Sequence, residues 1–176
     1  MILIMGPPGA GKSVQAELLE KEGKVTWLST GKILREHSTP EIKKKMLSGE
    51  IVEDSITEKY LMQIVDKAPL TPRILLDGFP RTKSQVHWLV DYADSKNRSI
   101  NKIIHLHLPV EESIDRLMKR GRQDDTPEII KKRYVQYTED VTPLIEAFKS
   151  HNVPLVEIDG TQSVEEIHQE LSENVK

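Results

Sequence analysis

No cysteine occurs among the 176 residues, which excludes disulfides, thiolate metal sites, a cysteine nucleophile and a redox thiol. A large excess of charge of either sign is also missing. The chain has 25 lysines and arginines against 28 aspartates and glutamates, a formal net charge of −3, so bulk attraction to nucleic acid is not expected. Aromatic residues make up 5%, few for a platform on which bases stack. No apolar run reaches the length of a membrane span, and the opening Met1-Ile2-Leu3-Ile4-Met5 is too short for a signal-peptide core. Nothing repeats at a fixed period and no segment is low in complexity. The expectation is a soluble, cytoplasmic protein with neither a nucleic-acid nor a membrane partner. At this length it forms one domain that buries roughly 70% of the surface of its unfolded chain and needs no cross-link.

What is present is an alternation. Short apolar runs (Ile2-Leu3-Ile4-Met5, Val25-Thr26-Trp27-Leu28, Ile74-Leu75-Leu76, Ile103 to Leu108, Leu155-Val156-Glu157-Ile158) are separated by longer segments with helical spacing. Most runs are continuous, as in strands covered on both faces. Ser38 with Glu41, Ser55 with Glu58 and Ser163 with Glu166 fit capping boxes, and Thr126-Pro127 fits a cap before a first-turn proline. Tyr134, Tyr137, Val141 and Ile145 recur every three or four positions, predicting one buried helix face, with a kink or break near Thr142 imposed by Pro143. Strand–helix alternation predicts an α/β fold: a parallel sheet with helices on both faces, and ligands at the carboxyl ends of the strands. Residues 30–60 and 116–133 fit poorly into such a core and read as covers over the site.

Directly after the first run stands Gly6-Pro7-Pro8-Gly9-Ala10-Gly11-Lys12-Ser13, which matches G-x-x-x-x-G-K-[ST]. Glycines let the backbone wrap an anion, the following helix adds its positive end, Lys12 can reach terminal phosphates, and the Ser13 hydroxyl can approach a magnesium ion. After the third run, Asp77-Gly78-Phe79-Pro80-Arg81 puts a carboxylate at a strand end, where hydrated magnesium would find it; alone, Asp77 would read as a turn residue. Six of the eight arginines are Arg35, Arg81, Arg116, Arg120, Arg122 and Arg133, whereas lysines are scattered. Several arginines meeting a phosphate chain is the machinery of phosphoryl transfer, which is mostly positioning and charge neutralisation. Taken singly, each could be a solvated partner of Glu112, Asp124 or Asp125, and those two aspartates could orient arginines or stabilise a closed lid. The six histidines show no metal-site or triad spacing and read as structural.

These residues resemble the adenylate kinase family over nearly the whole chain. The shared features are the phosphate loop followed by Gln15, the segment Leu28-Ser29-Thr30-Gly31-Lys32-Ile33-Leu34-Arg35, the Gly49 to Val52 stretch, Asp77 to Arg81 with Gln85, and Asp159-Gly160-Thr161, in family order. The resemblance implies the reaction ATP + AMP ⇌ 2 ADP with Mg2+. It implies a P-loop nucleoside monophosphate kinase fold with a five-stranded parallel core (1–29, 61–115 and 134–176), a nucleoside-monophosphate-binding segment at about 30–60 and a short lid at about 116–133, all within one domain that works as a monomer. It places Gly9, Ala10, Gly11, Lys12, Ser13, Val14, Arg116, Arg120 and Gln162 at the ATP site. At the AMP site it places Thr30, Gly31, Arg35, Glu50, Ile51, Val52, Gly78, Phe79, Pro80, Arg81, Gln85, Arg122 and Arg133. Lys12, Arg81, Arg120, Arg122 and Arg133 are the implied catalytic set, and Ser13 and Asp77 the implied magnesium residues.

Four departures stand out. Only Gly121 separates Arg120 from Arg122, a lid shorter than the family's short form. Lys12-Ser13-Val14 replaces the usual Lys-Gly-Thr, Lys32 stands where aspartate is usual, and Glu53 where proline or threonine is common. The fold is expected to survive these changes, with turnover and magnesium dependence the properties at stake. Two alternatives remain at this point: a UMP- or CMP-type kinase, differing in shape near Thr30, Val52 and Gln85, and a nucleotide-binding regulator with weak catalysis.

Overall fold

Four consecutive apolar residues leave no polar side to face water, so β1 (Ile2–Met5) must lie between two layers, and it is buried throughout. The computed structural model describes every residue but Gly49, Ile51 and Asp124 and places β1 at the centre of a five-stranded parallel sheet. With β2 (Val25–Ser29), β3 (Arg73–Asp77), β4 (Lys102–His107) and β5 (Leu155–Asp159) the order is β2-β3-β1-β4-β5. All five expected runs are therefore strands. Ile4 lies opposite Asp77 on one side of β1, and Met5 opposite His105 on the other. The strand order reverses at β1, and the crevice beyond the strand ends at such a point is where ligands bind in open α/β sheets.

Alternate residues of the strands serve two cores. Leu3, Met5, Leu76 and Ile103 pack with Leu61, Leu89 and Phe148, carried by α4 (Asp54–Val65), α5 (Lys83–Ser95) and α7 (Pro127–Ser150). Ile2, Ile4, Leu75 and Ile104 pack with Ala16, Leu19, Ile167 and Leu171, carried by α1 (Lys12–Lys21) and α8 (Val164–Asn174). Phe148 is fully buried, and truncating such a side chain to alanine costs about 3–5 kcal/mol.

Two of the three expected capping boxes are not formed. Ser163 and Glu166 do cap each other reciprocally at α8, and Thr126 caps α7 by accepting the Ile129 amide. Ser38 instead ends α2 (Thr30–His37), its hydroxyl donating back to the Leu34 carbonyl, because Pro40 starts α3 (Pro40–Leu47) and makes Thr39 the cap. Ser55 lies inside α4, which begins one residue earlier after Glu53. Pro143 does not break α7, which runs through it from Pro127 to Ser150. Ile130, Leu144 and Phe148 are buried along that helix, and packing of this kind outweighs the roughly 3 kcal/mol that proline costs inside a helix. The buried face is set by these three rather than by Tyr134, Tyr137, Val141 and Ile145, which are half-buried.

The first cover has a small core of its own, in which Leu34, Ile42 and Val52 pack with Met46, Ile56 and Tyr60. The second is a tight turn between α6 (Val110–Arg120) and α7, with Gly121 left-handed at the helix end.

Candidate active site

The phosphate loop, residues 6–13, joins β1 to α1. Gly9 has φ +82°, and a Cβ there would stand 3.1 Å from the Ser113 carbonyl oxygen, so the loop closes on α6 only without a side chain. Ser113 ties the same junction, its hydroxyl donating to the Pro8 carbonyl at 2.6 Å. Gly11 caps α1 without a side-chain bond, and the first turn carries no acid. The leading amides of α1 and its positive end are thereby left for an anion. Ala10 is buried and Val14 exposed on that turn.

Lys12 Nζ donates to the carbonyls of Gly6 (2.7 Å) and Pro7 (2.9 Å), which commits two of its three hydrogens. Burial lowers its pKa, Asp77 works against that, and nearby Arg81 and Arg120 add to it. A lysine from α1, an aspartate from the end of β3, an arginine from the loop that follows it and one from the end of α6 thus share one field. Ser13 Oγ donates to Asp77 Oδ2 at 3.2 Å, and Asp77 is only 5% exposed. Hydroxyl and carboxylate oxygens side by side are the hard donors that magnesium takes. The residue pair expected for the ion is therefore brought together.

On the other side of the sheet switch, Thr30 Oγ1 donates to the Asp77 carbonyl at 3.2 Å. Gly78 has φ +84°, and a Cβ there would lie 2.8 Å from that same Thr30 oxygen, so this turn accepts glycine alone. Gly31 faces the Arg35 guanidinium, with a would-be Cβ 3.5 Å from both terminal nitrogens. Phe79 and Pro80 are joined by a cis bond; the Phe79 ring is buried edge-on to Trp88 at 5.8 Å and belongs to the core wall. Val52 is buried among the first cover's apolar residues, Glu50 is exposed and accepts from Ser48, and Ile51 lies outside the described residues, as does Gly49.

Gln85 is not open to a ligand on all sides. It is 1% exposed, its oxygen accepts the Arg81 amide at 2.7 Å, and its nitrogen donates to Asp54 Oδ1 at 2.7 Å. Asp54 also accepts from Thr82 (2.9 Å) and Ser84 (2.6 Å). This carboxylate, which sequence reasoning missed, pins the first cover to the Arg81 segment. No local signal announces it, because its partners lie 28 to 31 residues away.

The remaining arginines come from the second cover. Asp125 grips Arg120 with both oxygens, at 2.8 and 2.6 Å, and also accepts the Arg122 amide at 3.0 Å. Of the roles open for the two aspartates, orientation is the one Asp125 fills; Asp124 lies outside the described residues. Arg122 is exposed. Arg133 donates to the Met46 carbonyl at 2.8 Å, and Lys132 to that of Ser48 at 3.3 Å, so α7 reaches across to the first cover. Arg81 lies close enough to Arg133 for their charges to repel. Arg116 donates to the Gly160 carbonyl at 2.8 Å, and Gln162 to Glu170 at 3.2 Å, which places both at the loop after β5.

A phosphate loop, a hydroxyl–carboxylate pair and arginines from two covers, set at the switch point of a parallel sheet, define a P-loop enzyme that moves phosphoryl groups. Comparison with known proteins gives the family. The family model described as adenylate kinase matches residues 4–153. The chain is 35% identical to an adenylate kinase of Nocardioides sp., with 94% of this chain and 92% of that protein covered. It is 34% identical to adenylate kinase 1 of Nostoc sp. (97% and 95%) and 36% identical to an adenylate kinase of Flavobacterium psychrophilum (98% and 96%). The chain belongs to the adenylate kinase family and is a nucleotide-binding transferase. Among the described residues, no helix is long and apolar enough to cross a membrane.

Proposed function

We propose that the chain transfers the terminal phosphoryl group of ATP to AMP, giving two ADP, as a monomer in the cytoplasm with neither a nucleic-acid nor a membrane partner. The observation that carries this is the gathering of Asp77, Arg81 and Arg120 around Lys12, beside a helix start that no side chain caps. The donor triphosphate lies along Gly9, Ala10, Gly11, Lys12, Ser13 and Val14, with Arg116 and Gln162 toward its base. The acceptor lies between Thr30, Gly31, Arg35, Val52 and the Gly78 turn. Its phosphate faces Arg81, Arg122 and Arg133.

Lys12, Arg81, Arg120, Arg122 and Arg133 neutralise charge that spreads over the equatorial oxygens of the group in flight. No general base is needed, because the acceptor phosphate is already an anion. Ser13 and Asp77 would hold Mg2+, directly or through water, and the ion would supply further charge neutralisation on the donor phosphates. Contacts of α7 with Met46 and Ser48 bring the covers together, which shuts water out and favours transfer over hydrolysis.

The test is ADP formation from ATP with AMP, UMP or CMP, with and without Mg2+. Magnesium-dependent turnover with AMP alone is expected. Preference for UMP or CMP would overturn the acceptor assignment, and ATP binding without transfer to any acceptor would overturn the reaction.

A further inference from the structure

The histidines of β4 do not both read as structural once β5 lies beside them. His105 and His107, two apart on β4, project to the same side as Glu157, which is opposite His105 in register. One ligand atom from each of the three falls within 4.8 Å of the others. His107 Nε2 lies 3.1 Å from Glu157 Oε1, and His105 Nδ1 lies 3.9 Å from the same oxygen. His105 is 6% exposed and its Nδ1 is buried without a hydrogen-bond partner, an orphaned acceptor or donor aimed at the carboxylate. Tyr137 closes the inner side, its ring 6.1 Å from that of His105.

We propose that His105, His107 and Glu157 form a binding site for a borderline divalent transition-metal ion of the Zn2+, Co2+ or Ni2+ class. Two imidazoles and one carboxylate are the donor set of such ions and not of magnesium, which prefers oxygen alone. Metal–ligand bonds of about 2.0–2.2 Å at tetrahedral angles put donor atoms about 3.3 Å apart. The His107–Glu157 separation of 3.1 Å is close to that, and the exposed His107 and Glu157 side chains can together close the rest toward the buried His105. The fourth position opens to solvent between His107 and Glu157, which are both about half exposed. Lys12 adds a positive charge near His105, while Asp159 adds a negative one near His107. An ion here staples the edge strand β5 to β4 just before the Gly160 loop, where the Gly160 carbonyl accepts from the Arg116 guanidinium and the Gly160 amide donates to the His107 carbonyl.

The experiment is titration of the full, nucleotide-free chain with Co2+, followed by visible absorption, together with thermal melting in Zn2+. One Co2+ per chain with tetrahedral bands is expected. Zn2+ at a hundredfold excess over its Kd should raise Tm by about 5–10 °C. His107→Asn and Glu157→Gln, both at exposed positions, should each weaken binding at least about tenfold, the loss that even outer-sphere changes cause. Ser13→Ala should leave the titration unchanged. Absence of stoichiometric binding, titrations of the two variants that match the parent, or loss of binding in Ser13→Ala would each overturn the site.

Discussion

Asp125 holds Arg120 in a two-point grip, Oδ2 on Nε at 2.8 Å and Oδ1 on Nη2 at 2.6 Å. The carboxylate is 7% exposed and sits five residues beyond the arginine, across the Gly121 turn. In a lid this short, that fork is what fixes the direction of a guanidinium proposed to meet the transferring phosphate. Asp125→Ala should therefore lower kcat by about 10²-fold, the cost of an angstrom-scale misplacement, while the circular-dichroism spectrum stays that of the parent. Unchanged kcat would remove Arg120 from the catalytic set. Burial by itself would raise the Asp125 carboxyl, but the Arg120 side chain and the Arg122 amide hold it below the ordinary 3.8. A depressed carboxyl stabilises the fold fully above its unfolded value and loses that contribution as pH falls through the folded one. The Tm gap between the parent and Asp125→Ala should thus stay flat from about pH 8 to about pH 5 and narrow only in stronger acid. A gap that closes near neutrality would contradict the assignment.

Asp54 makes the corresponding case on the acceptor side. It accepts from Thr82, Ser84 and Gln85, and Gln85 in turn holds the Arg81 amide. Asp54→Ala leaves the Gln85 amide buried without its partner, which costs about 1–3 kcal/mol. The second consequence is functional. Slackening of the Arg81 segment should raise KM for AMP several-fold while KM for ATP holds, because the phosphate loop does not touch Asp54. Equal shifts in both KM values would mean a general loosening instead.

Lys32 is the departure with the plainest structural account. Its ammonium sits over the Trp27 ring, 5.5 Å from the centroid, on the first turn of α2. A lysine engaged there acts on stability, and so Lys32→Asp should cost about 0.5–1 kcal/mol, or about 1–4 °C in Tm, with kinetics unchanged. Altered kcat would return Lys32 to the active site.

Legibility in the sequence followed the distance between partners. The phosphate loop is contiguous and its chemistry is local, so it could be read outright, and so could the five strands, whose apolar runs need no partner to be recognised. The Ser163–Glu166 box formed because nothing opposed it; Ser38 and Ser55 carry the same pattern and failed, one to Pro40 and one to a helix starting at Asp54. Pro143 inside α7 shows tertiary packing overriding a strong local rule. Asp54, and Glu157 beside His105, were invisible for a different reason. Their partners are gathered by sheet order and helix docking, which spacing along the chain does not encode.

Ser13 decides how far the altered loop matters. Its hydroxyl reaches Asp77 at 3.2 Å, whereas Val14, where a hydroxyl is usual in the family, is 51% exposed on the turn of α1. One hydroxyl beside the buried carboxylate is enough to complete the proposed magnesium pair, so the shift of register is a relocation and not a loss. Ser13→Ala should raise the Mg2+ concentration for half-maximal rate about tenfold, the worth of one hydrogen bond of about 1.4 kcal/mol, and leave KM for AMP unchanged. Val14→Thr alone should change neither. If Val14→Thr restored the magnesium dependence of Ser13→Ala, the ion would be held from position 14, and the contact between Ser13 and Asp77 would have no part in holding it.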